Sequence, residues 1–221
     1  MNCYSHAFRF LDRDPYFVVG TCVPDWLTLA DRKVRVRKKN ARLFMENTDP
    51  NISELAKGIV RHHLDDDWFH ENRCFVELNL ALSIELRELL GSDAGFRPHL
   101  AAHILIEVLL DRALTLRNPS GLETFYEMVA QVDPARVEAG VNEITSTKKT
   151  DRIALFVPRF LTERYLFDYL TDEGINYRLN RVLRRVKLAE LPAAFLDWIP
   201  SVWDRVEKQQ DDLLSGFESS D

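Results

Sequence analysis

The sequence predicts an all-α protein built as a single multi-helix domain. Only 8 of its 221 residues are glycine, and long stretches rich in leucine, alanine, glutamate and arginine favour helix over strand. Hydrophobic residues make up 46% and charged residues 29% of the chain, which is typical of globular proteins. This length can bury a sizeable core without a second domain. We therefore expect one domain over residues 1–217 and a disordered tail over residues 218–221.

The N-terminal elements are predicted from helix breakers and local charge. A short helix is expected over residues 4–11, and Asp14 with Pro15 is expected to end it. A mostly apolar segment, residues 16–23, follows without a clear helical signal. Residues 32–39 then form a strongly basic run.

The longer helices are predicted from capping residues and prolines. Asn51 followed three residues later by Glu54 forms a capping-box pattern at a helix start. Pro98 suits a first helical turn, and Ser120 with Glu123 repeats the capping-box pattern. The helices predicted in this way begin with residues 51–72, 75–90 and 98–117, continue with one from residue 120, and end with residues 158–170, 173–188 and 192–217.

The net charge and the cysteines indicate which partners and which cellular compartment to expect. The formal net charge of −6 argues against a protein that wraps nucleic acid. Three scattered cysteines, Cys3, Cys22 and Cys74, suit reduced thiols better than a disulfide framework. No apolar segment is long and uncharged enough for a membrane span, so the sequence predicts a cytoplasmic protein.

Two predicted helices carry polar residues on an apolar face. In the first long helix, the apolar stripe that starts at Leu55 and Ile59 continues onto His62, Asp66 and His70. In the helix that starts at Pro98, His103 and Glu107 share a face in the same way. Buried carboxylates need partners, and a divalent ion satisfies several at once.

This donor set suits manganese, iron or zinc, and its carboxylates also admit magnesium. Such an ion lowers the pKa of a bound water and holds a phosphate oxygen, which makes hydrolysis the expected chemistry. Two ordinary interpretations stay open at this point. His62 with Asp66 is a common helix-surface pair, and nearby arginines could neutralise His103 and Glu107.

Six further residues have ordinary interpretations when each is taken alone. His6 could be satisfied by backbone or solvent, and Asp25 after a proline could cap a helix. A solvated surface position is expected for the other four, which are His63, Asp65, Asp67 and His99.

A series of different short motifs follows a characteristic order along nearly the whole chain. They are Met1, Asn2 and His6; Gly20 and Asp25; Gly58, Ile59, His62 and Asp66; and His103 with Leu105. The C-terminal third adds Tyr165, Tyr169, Asp172, Gly174, Ile175, Leu196, Trp203 and Glu207. This order resembles that of the acyl carrier protein phosphodiesterase family.

The resemblance implies an HD-like helical metal phosphohydrolase. Members of this family use a divalent metal, often manganese, to hydrolyse the phosphodiester that joins phosphopantetheine to the serine of holo acyl carrier protein. The resemblance makes Asp25, His62, Asp66 and His103 candidate metal ligands, and His6 a ligand or a phosphate contact.

The chain departs from the family pattern at three places. His63 stands where the family has arginine, and Phe69 with His70 replaces a threonine–aspartate pair. Ala102 replaces the aspartate before His103, so Glu107, one turn further along, is expected to take over as a ligand. His6 or His70 is expected to assist as a phosphate contact or proton donor.

The basic run at residues 32–39 could present positive charge to an acidic carrier protein or to a substrate phosphate. A solvated loop is the alternative. No aromatic platform accompanies the run, so nucleic-acid binding is not expected. Two other functions remain open: a non-catalytic helical relative that binds a protein partner, and a hydrolase of a small nucleotide-type phosphoester.

Overall fold

A computed structural model describes residues 1–91, 97–146, 148–185 and 187–216. Every regular element in this part of the chain is a helix, which confirms the all-α prediction. None of these helices is both long and apolar enough to span a membrane. The predicted tail, residues 218–221, lies outside the described residues.

The α-helices are numbered in chain order. They are α1 Cys3–Ala7, α2 Pro15–Ala30, α3 Lys38–Ala41, α4 Pro50–Glu71, α5 Arg73–Leu90, α6 Pro98–Arg117, α7 Pro119–Ala130, α8 Pro134–Ile144, α9 Ile153–Glu163, α10 Asp172–Arg185 and α11 Ala193–Leu213. Two 3-10 turns, Arg42–Phe44 and Tyr165–Leu170, accompany them. The predicted bounds of α4, α5 and α6 agree with these to within two residues.

The prediction for Asp14 and Pro15 was wrong, because these residues begin helix α2. The Asp14 carboxylate accepts a hydrogen bond from the backbone N–H of Tyr16 at 2.8 Å, as an N-cap does. Pro15 occupies the first turn, where a missing N–H costs nothing. The segment at residues 16–23 is therefore helical, and α1 ends earlier than predicted.

Two other helix starts differ from the prediction. Asn118, rather than Ser120, caps α7, because its side chain accepts from the backbone N–H of Gly121 at 3.2 Å. The segment predicted as one helix over residues 158–170 is divided. Its first part belongs to α9, and Arg164, the residue after this helix, has the left-handed conformation with φ 44°.

The helices are grouped into two compact units. The first contains Met1–Asp67 and Asn118–Arg164, and the second contains Trp68–Arg117 and the described part of Tyr165–Asp221. The expectation of one domain over residues 1–217 stays a prediction.

An aromatic cluster forms the core of the first unit. Trp26 of α2 is fully buried, and its ring centroid lies 5.1 Å from that of Phe160 in α9. Tyr126 of α7 stacks on the same ring at 5.2 Å, and Tyr4 of α1 meets Phe125 edge-on at 5.8 Å. Aromatic pairs at these separations add to the stabilisation from burial itself, so four helices are held around one centre.

Two glycines let helices α2 and α4 cross in close contact. A Cβ atom built on Gly20 would lie 2.9 Å from the Gly58 Cα, and one built on Gly58 would lie 2.8 Å from the Gly20 Cα. Real Cβ atoms do not approach backbone this closely. Any larger residue at either position would therefore force the two helices apart.

In the second unit, a carboxylate on α5 holds helix α11. The guanidinium of Arg205 donates to both oxygens of Glu85, each at 2.6 Å, and the Trp198 indole N–H donates to the same carboxylate at 3.1 Å. These bonds from Arg205 lower the pKa of Glu85 below its ordinary value.

Replacing Glu85 with glutamine tests this contact. We expect the free energy of unfolding to fall by no more than about 1 kcal/mol near neutral pH, because both side chains are partly exposed to solvent. Since the folded-state pKa is lowered, the contribution is present above the unfolded pKa of about 4.3 and is lost as pH falls through the folded value.

Urea unfolding of both proteins at neutral and strongly acidic pH measures the effect of this substitution. The difference between them should shrink on acidification. Glu88→Gln, on the exposed face of the same helix, is the control and should show little difference at either pH. A difference for Glu85→Gln that is equally large in acid would contradict this account.

Candidate metal centre

Helices α1, α2 and α4 of the first unit bring together His6, Asp25 and His62. One potential ligand atom from each of the three side chains lies within 4.8 Å of the other two. Both histidines are buried, whereas Asp25 is half-buried. The sequence reached His6 and Asp25 through the family resemblance, and the structure brings both next to His62.

The close crossing of α2 and α4 orients the imidazole of His62. Gly20 and Gly58 lie at the crossing, and the His62 Nδ1 reaches the backbone carbonyl of Thr21 at 2.8 Å. A carbonyl oxygen only accepts, so Nδ1 carries the proton and donates it. Nε2 of His62 is thereby turned toward the centre, as in many metal-binding histidines whose other nitrogen donates to a carbonyl.

Asp66 lies against both histidines. Its Oδ2 is 3.3 Å from Nε2 of His62, and its Oδ1 is 3.2 Å from Nε2 of His6 and 2.7 Å from the Met1 backbone nitrogen. Burial alone would raise the pKa of Asp66, but hydrogen bonds from His6 and His62 hold it well below its usual range. Asp66 therefore stays ionised.

The N-terminal ammonium of Met1 balances the charge of Asp66 at 2.7 Å, but the contact between Asp66 and His62 still needs a proton or a metal ion between the two acceptor atoms. Because the Nδ1 proton of His62 is committed to Thr21, Nε2 of a neutral imidazole and the Asp66 oxygen would both offer lone pairs across 3.3 Å. Either a second proton on His62 or a metal ion resolves this conflict. The contact between His62 and Asp66 can therefore hold either a proton or a metal ion.

His6 places a second imidazole beside the Asp66 carboxylate. Its Nε2 lies 3.1 Å from the carbonyl oxygen of Met1, and its Nδ1 lies 3.5 Å from Asp65 Oδ2. Burial opposes protonation of this ring, but the carboxylates of Asp65 and Asp66 raise its pKa above the ordinary value. A bound metal would replace the protons held here, so binding would release protons.

The expectation of a solvated surface position for Asp65 was wrong. Asp65 is buried, and its Oδ1 accepts from Arg61 Nε at 2.7 Å with Arg9 Nη2 3.7 Å away. Two guanidinium groups therefore balance its charge, and Asp65 is a poor ligand candidate. The signal that sequence reasoning missed was Arg61, one helical turn earlier.

The observed separations can be compared with those around a bound ion. Adjacent ligands on an ion with bonds of about 2.1 Å lie about 3.0 Å apart in octahedral and about 3.4 Å apart in tetrahedral geometry. The contacts of Asp66 with His62 and His6, at 3.3 and 3.2 Å, fall in this interval. Asp66 meets the two histidines through different oxygens, and the group of ligand atoms that lie within 4.8 Å of one another contains His6, Asp25 and His62 without Asp66.

The other predicted ligands lie in the second unit. His103 Nε2 is 2.9 Å from Glu107 Oε1, and His70 Nε2 is 3.7 Å from the same oxygen. One ligand atom from each lies within 4.8 Å of the others. Ala102, where the family has aspartate, is completely buried. The predicted site residues are thus collected in two groups, one in each unit.

The basic run is anchored beside helix α4. Val34 and Val36 are buried, whereas Arg35 and Arg37 between and after them are exposed. The carbonyl of Val36 accepts from His63 Nε2 at 2.8 Å, so His63 is half-buried rather than solvated as predicted. Burial lowers the pKa of His63. The arginines are therefore held on a fixed segment next to the helix that carries His62.

Two remaining residues bear on the surface predictions. Asp67 is exposed and pairs with Lys38, which confirms a solvated position. His99 is exposed as predicted, with both ring nitrogens 3.4 Å from the amide nitrogen of Asn79. Neither residue belongs to the two histidine–carboxylate groups.

The fold and this geometry define a class: an all-helical protein with a buried histidine–carboxylate centre. No protein-family model, curated protein or solved structure matches the chain. The resemblance to the acyl carrier protein phosphodiesterase family therefore stays a prediction, and functional inference rests on the residues themselves.

Proposed function

We propose that this protein is a metal-dependent phosphodiesterase or related phosphohydrolase, and that it acts in the cytoplasm. The observation that carries the proposal is the meeting of His6, Asp25 and His62 within one group, with Asp66 in contact with both imidazoles. A site rich in carboxylates and free of thiolates suits manganese, with iron, zinc or magnesium as alternatives.

A divalent ion held there would supply a water of lowered pKa and neutralise charge on a phosphate oxygen. The chain prepares the site for this chemistry. The Thr21 carbonyl fixes the tautomer of His62, and Asp66 orients both imidazoles. Asp25 and Asp66 are partly exposed while the histidines are buried, so a substrate would approach from the carboxylate side.

The substrate class follows from charge and from the family resemblance. Exposed Arg35 and Arg37 lie on the segment that His63 ties to α4, and they suit an anionic phosphoester or an acidic carrier protein. The resemblance makes the phosphopantetheine–serine diester of holo acyl carrier protein the substrate we propose first. A small nucleotide-type phosphoester is the alternative substrate at the same site.

The test uses the full chain, purified and freed of metal with a chelator. On addition of Mn²⁺ we expect holo carrier protein to lose phosphopantetheine, which mass spectrometry of the carrier protein detects. Activity should disappear when the chelator is restored. Hydrolysis of small phosphodiesters without hydrolysis of the carrier would indicate the alternative substrate. No hydrolysis of either substrate class with any of the four metals would refute the proposal.

A non-catalytic binding protein is the second candidate, and Ala102 favours it. This residue offers no ligand atom where the family has aspartate, and it is completely buried. Carrier-protein binding that persists without Mn²⁺, weakens when Arg35 and Arg37 are replaced by glutamine, and is never followed by hydrolysis would support this candidate.

A further inference from the structure

A second group of imidazoles and a carboxylate lies in the second unit, between the end of α4 and helix α6. His103 and Glu107 are one turn apart on α6, and their Nε2 and Oε1 atoms are 2.9 Å apart. An isolated pair of this kind is an ordinary helix-surface contact. Such a contact does not require His70, which comes from a different helix and turns its Nε2 to the same carboxylate oxygen at 3.7 Å.

Aromatic packing holds the two imidazoles in place. The Phe75 ring meets His103 edge-on, with centroids 5.0 Å apart, and packs against His70 at 5.5 Å. Phe75 is buried and is backed by Phe69 at 4.5 Å. Asn72 positions Phe75, because its side chain caps α5 by accepting from the Phe75 backbone N–H at 3.3 Å. A rigid apolar backing of this kind preorganises ligands.

The group is open on one side. The side chains of His70, His103 and Glu107 are 40%, 26% and 14% exposed, whereas Phe69 and Phe75 are buried. A carboxylate beside two imidazole nitrogens offers a mixed oxygen and nitrogen ligand set.

We propose that His70, His103 and Glu107 bind a divalent transition-metal ion of their own, in addition to the ion proposed at His6, Asp25 and His62. Two imidazole nitrogens and one carboxylate oxygen match known zinc and non-haem iron sites and disfavour magnesium and calcium. The observed ligand separations of 2.9 and 3.7 Å lie on either side of the value of about 3.0 to 3.4 Å expected around such an ion. Three protein ligands leave coordination positions for water or a phosphate oxygen.

The experiment counts ions. Chelator-treated full-length protein is titrated with Zn²⁺ by calorimetry, and bound zinc is measured by elemental analysis after gel filtration. We expect two ions per chain. Glu107→Gln keeps the size of the side chain and should weaken one of the two binding steps at least about tenfold. His70→Ala, at a position that is 40% exposed, should do the same and disturbs the fold less than a change at a buried position.

Matched variants separate this site from the one in the first unit. Asp25→Asn should remove one ion and leave the step that depends on Glu107. His99→Ala removes another histidine of α6 that is outside the group and should leave two ions. Co²⁺ substitution gives a second measurement, since the visible absorption assigned to this site should be lost in Glu107→Gln and kept in Asp25→Asn.

Two results would overturn the second site. One is a single ion per chain that Asp25→Asn removes and Glu107→Gln leaves in place. The other is two ions whose affinities are unchanged by Glu107→Gln and His70→Ala. Neither result decides hydrolysis at the first-unit centre, so the proposed function is tested separately.

Discussion

Alanine at position 58 should lower the free energy of unfolding by about 3 kcal/mol, at the upper end of overpacking substitutions. A Cβ atom there would lie 2.8 Å from the Gly20 Cα and 2.9 Å from the Thr21 nitrogen. Both obstacles are backbone atoms, which no side-chain rotation can move. Helices α2 and α4 would have to separate, and urea unfolding followed by circular dichroism measures the cost.

Gly140→Ala is the control for this prediction. The Cβ of this variant would meet the end of the flexible Leu55 side chain at 2.7 Å rather than a backbone atom. Alanine is also about 1 kcal/mol more favourable than glycine inside a helix, so the two effects should largely cancel. Equal destabilisation by Gly58→Ala and Gly140→Ala would mean that the helix crossing has no special role.

The same substitution should weaken metal binding in the first unit. Separation of the helices moves the Thr21 carbonyl away from His62, and the hydrogen bond of 2.8 Å that fixes the imidazole is lost. Loss of such an outer partner typically weakens metal affinity by about 10- to 100-fold. Calorimetric titration of the folded variant with Mn²⁺, at a temperature well below its melting transition, measures the change.

Replacing His62 with alanine should weaken Mn²⁺ binding in the first unit by more than about 100-fold and abolish the associated hydrolysis. Removal of a residue that hydrogen-bonds to a metal ligand typically lowers metal affinity by about 10- to 100-fold. Removal of the ligand itself should lower it by more. Because His62 is buried, Asp25→Asn provides a second variant that removes charge from the centre with little change in volume. Both should lose activity through kcat as well as through metal affinity.

Asp67→Asn is the matched control for these variants, because Asp67 is an exposed aspartate on α4 that pairs with Lys38. Its activity and Mn²⁺ affinity should equal those of the unmodified protein. Calorimetry and hydrolysis assays on all three variants, each confirmed as folded by circular dichroism, test the prediction. Full activity in Asp25→Asn and His62→Ala would place the catalytic centre elsewhere.

Local signals predicted the long helices well. The signals near Asn51 and the proline at the start of α6 gave the bounds of α4 and α6, because capping and proline effects act within one turn. Asp49 rather than Asn51 caps α4, since its carboxylate accepts from the Asn51 backbone N–H at 3.0 Å. Helix α2 was missed, since Pro15 was interpreted as a break. Pro15 instead occupies the first turn, and Pro24 lies inside the helix. Burial of the α2 face overrides the local cost of that proline.

The candidate centre was only partly predictable. The helical period placed His62 and Asp66 on one face, and the structure shows them in contact. His6 and Asp25 had no local signal, because their role depends on contacts with residues about 40 to 60 positions away in the chain. The burial of Asp65 also depends on such a contact, since α4 packs against α1 through His6 as well as against α2.

The contacts that hold the basic run in place determine which of its residues can change to alter the preference for a ligand's charge. Val34 and Val36 anchor the segment, His63 holds it through a main-chain carbonyl, and Lys38 pairs with Asp67, so neither Arg35 nor Arg37 is one of these anchors. Arg35 and Arg37 can therefore be exchanged singly, by evolution or by protein engineering, without loosening the segment. Relatives with the same centre but acidic or neutral residues at these positions would be suited to differently charged ligands.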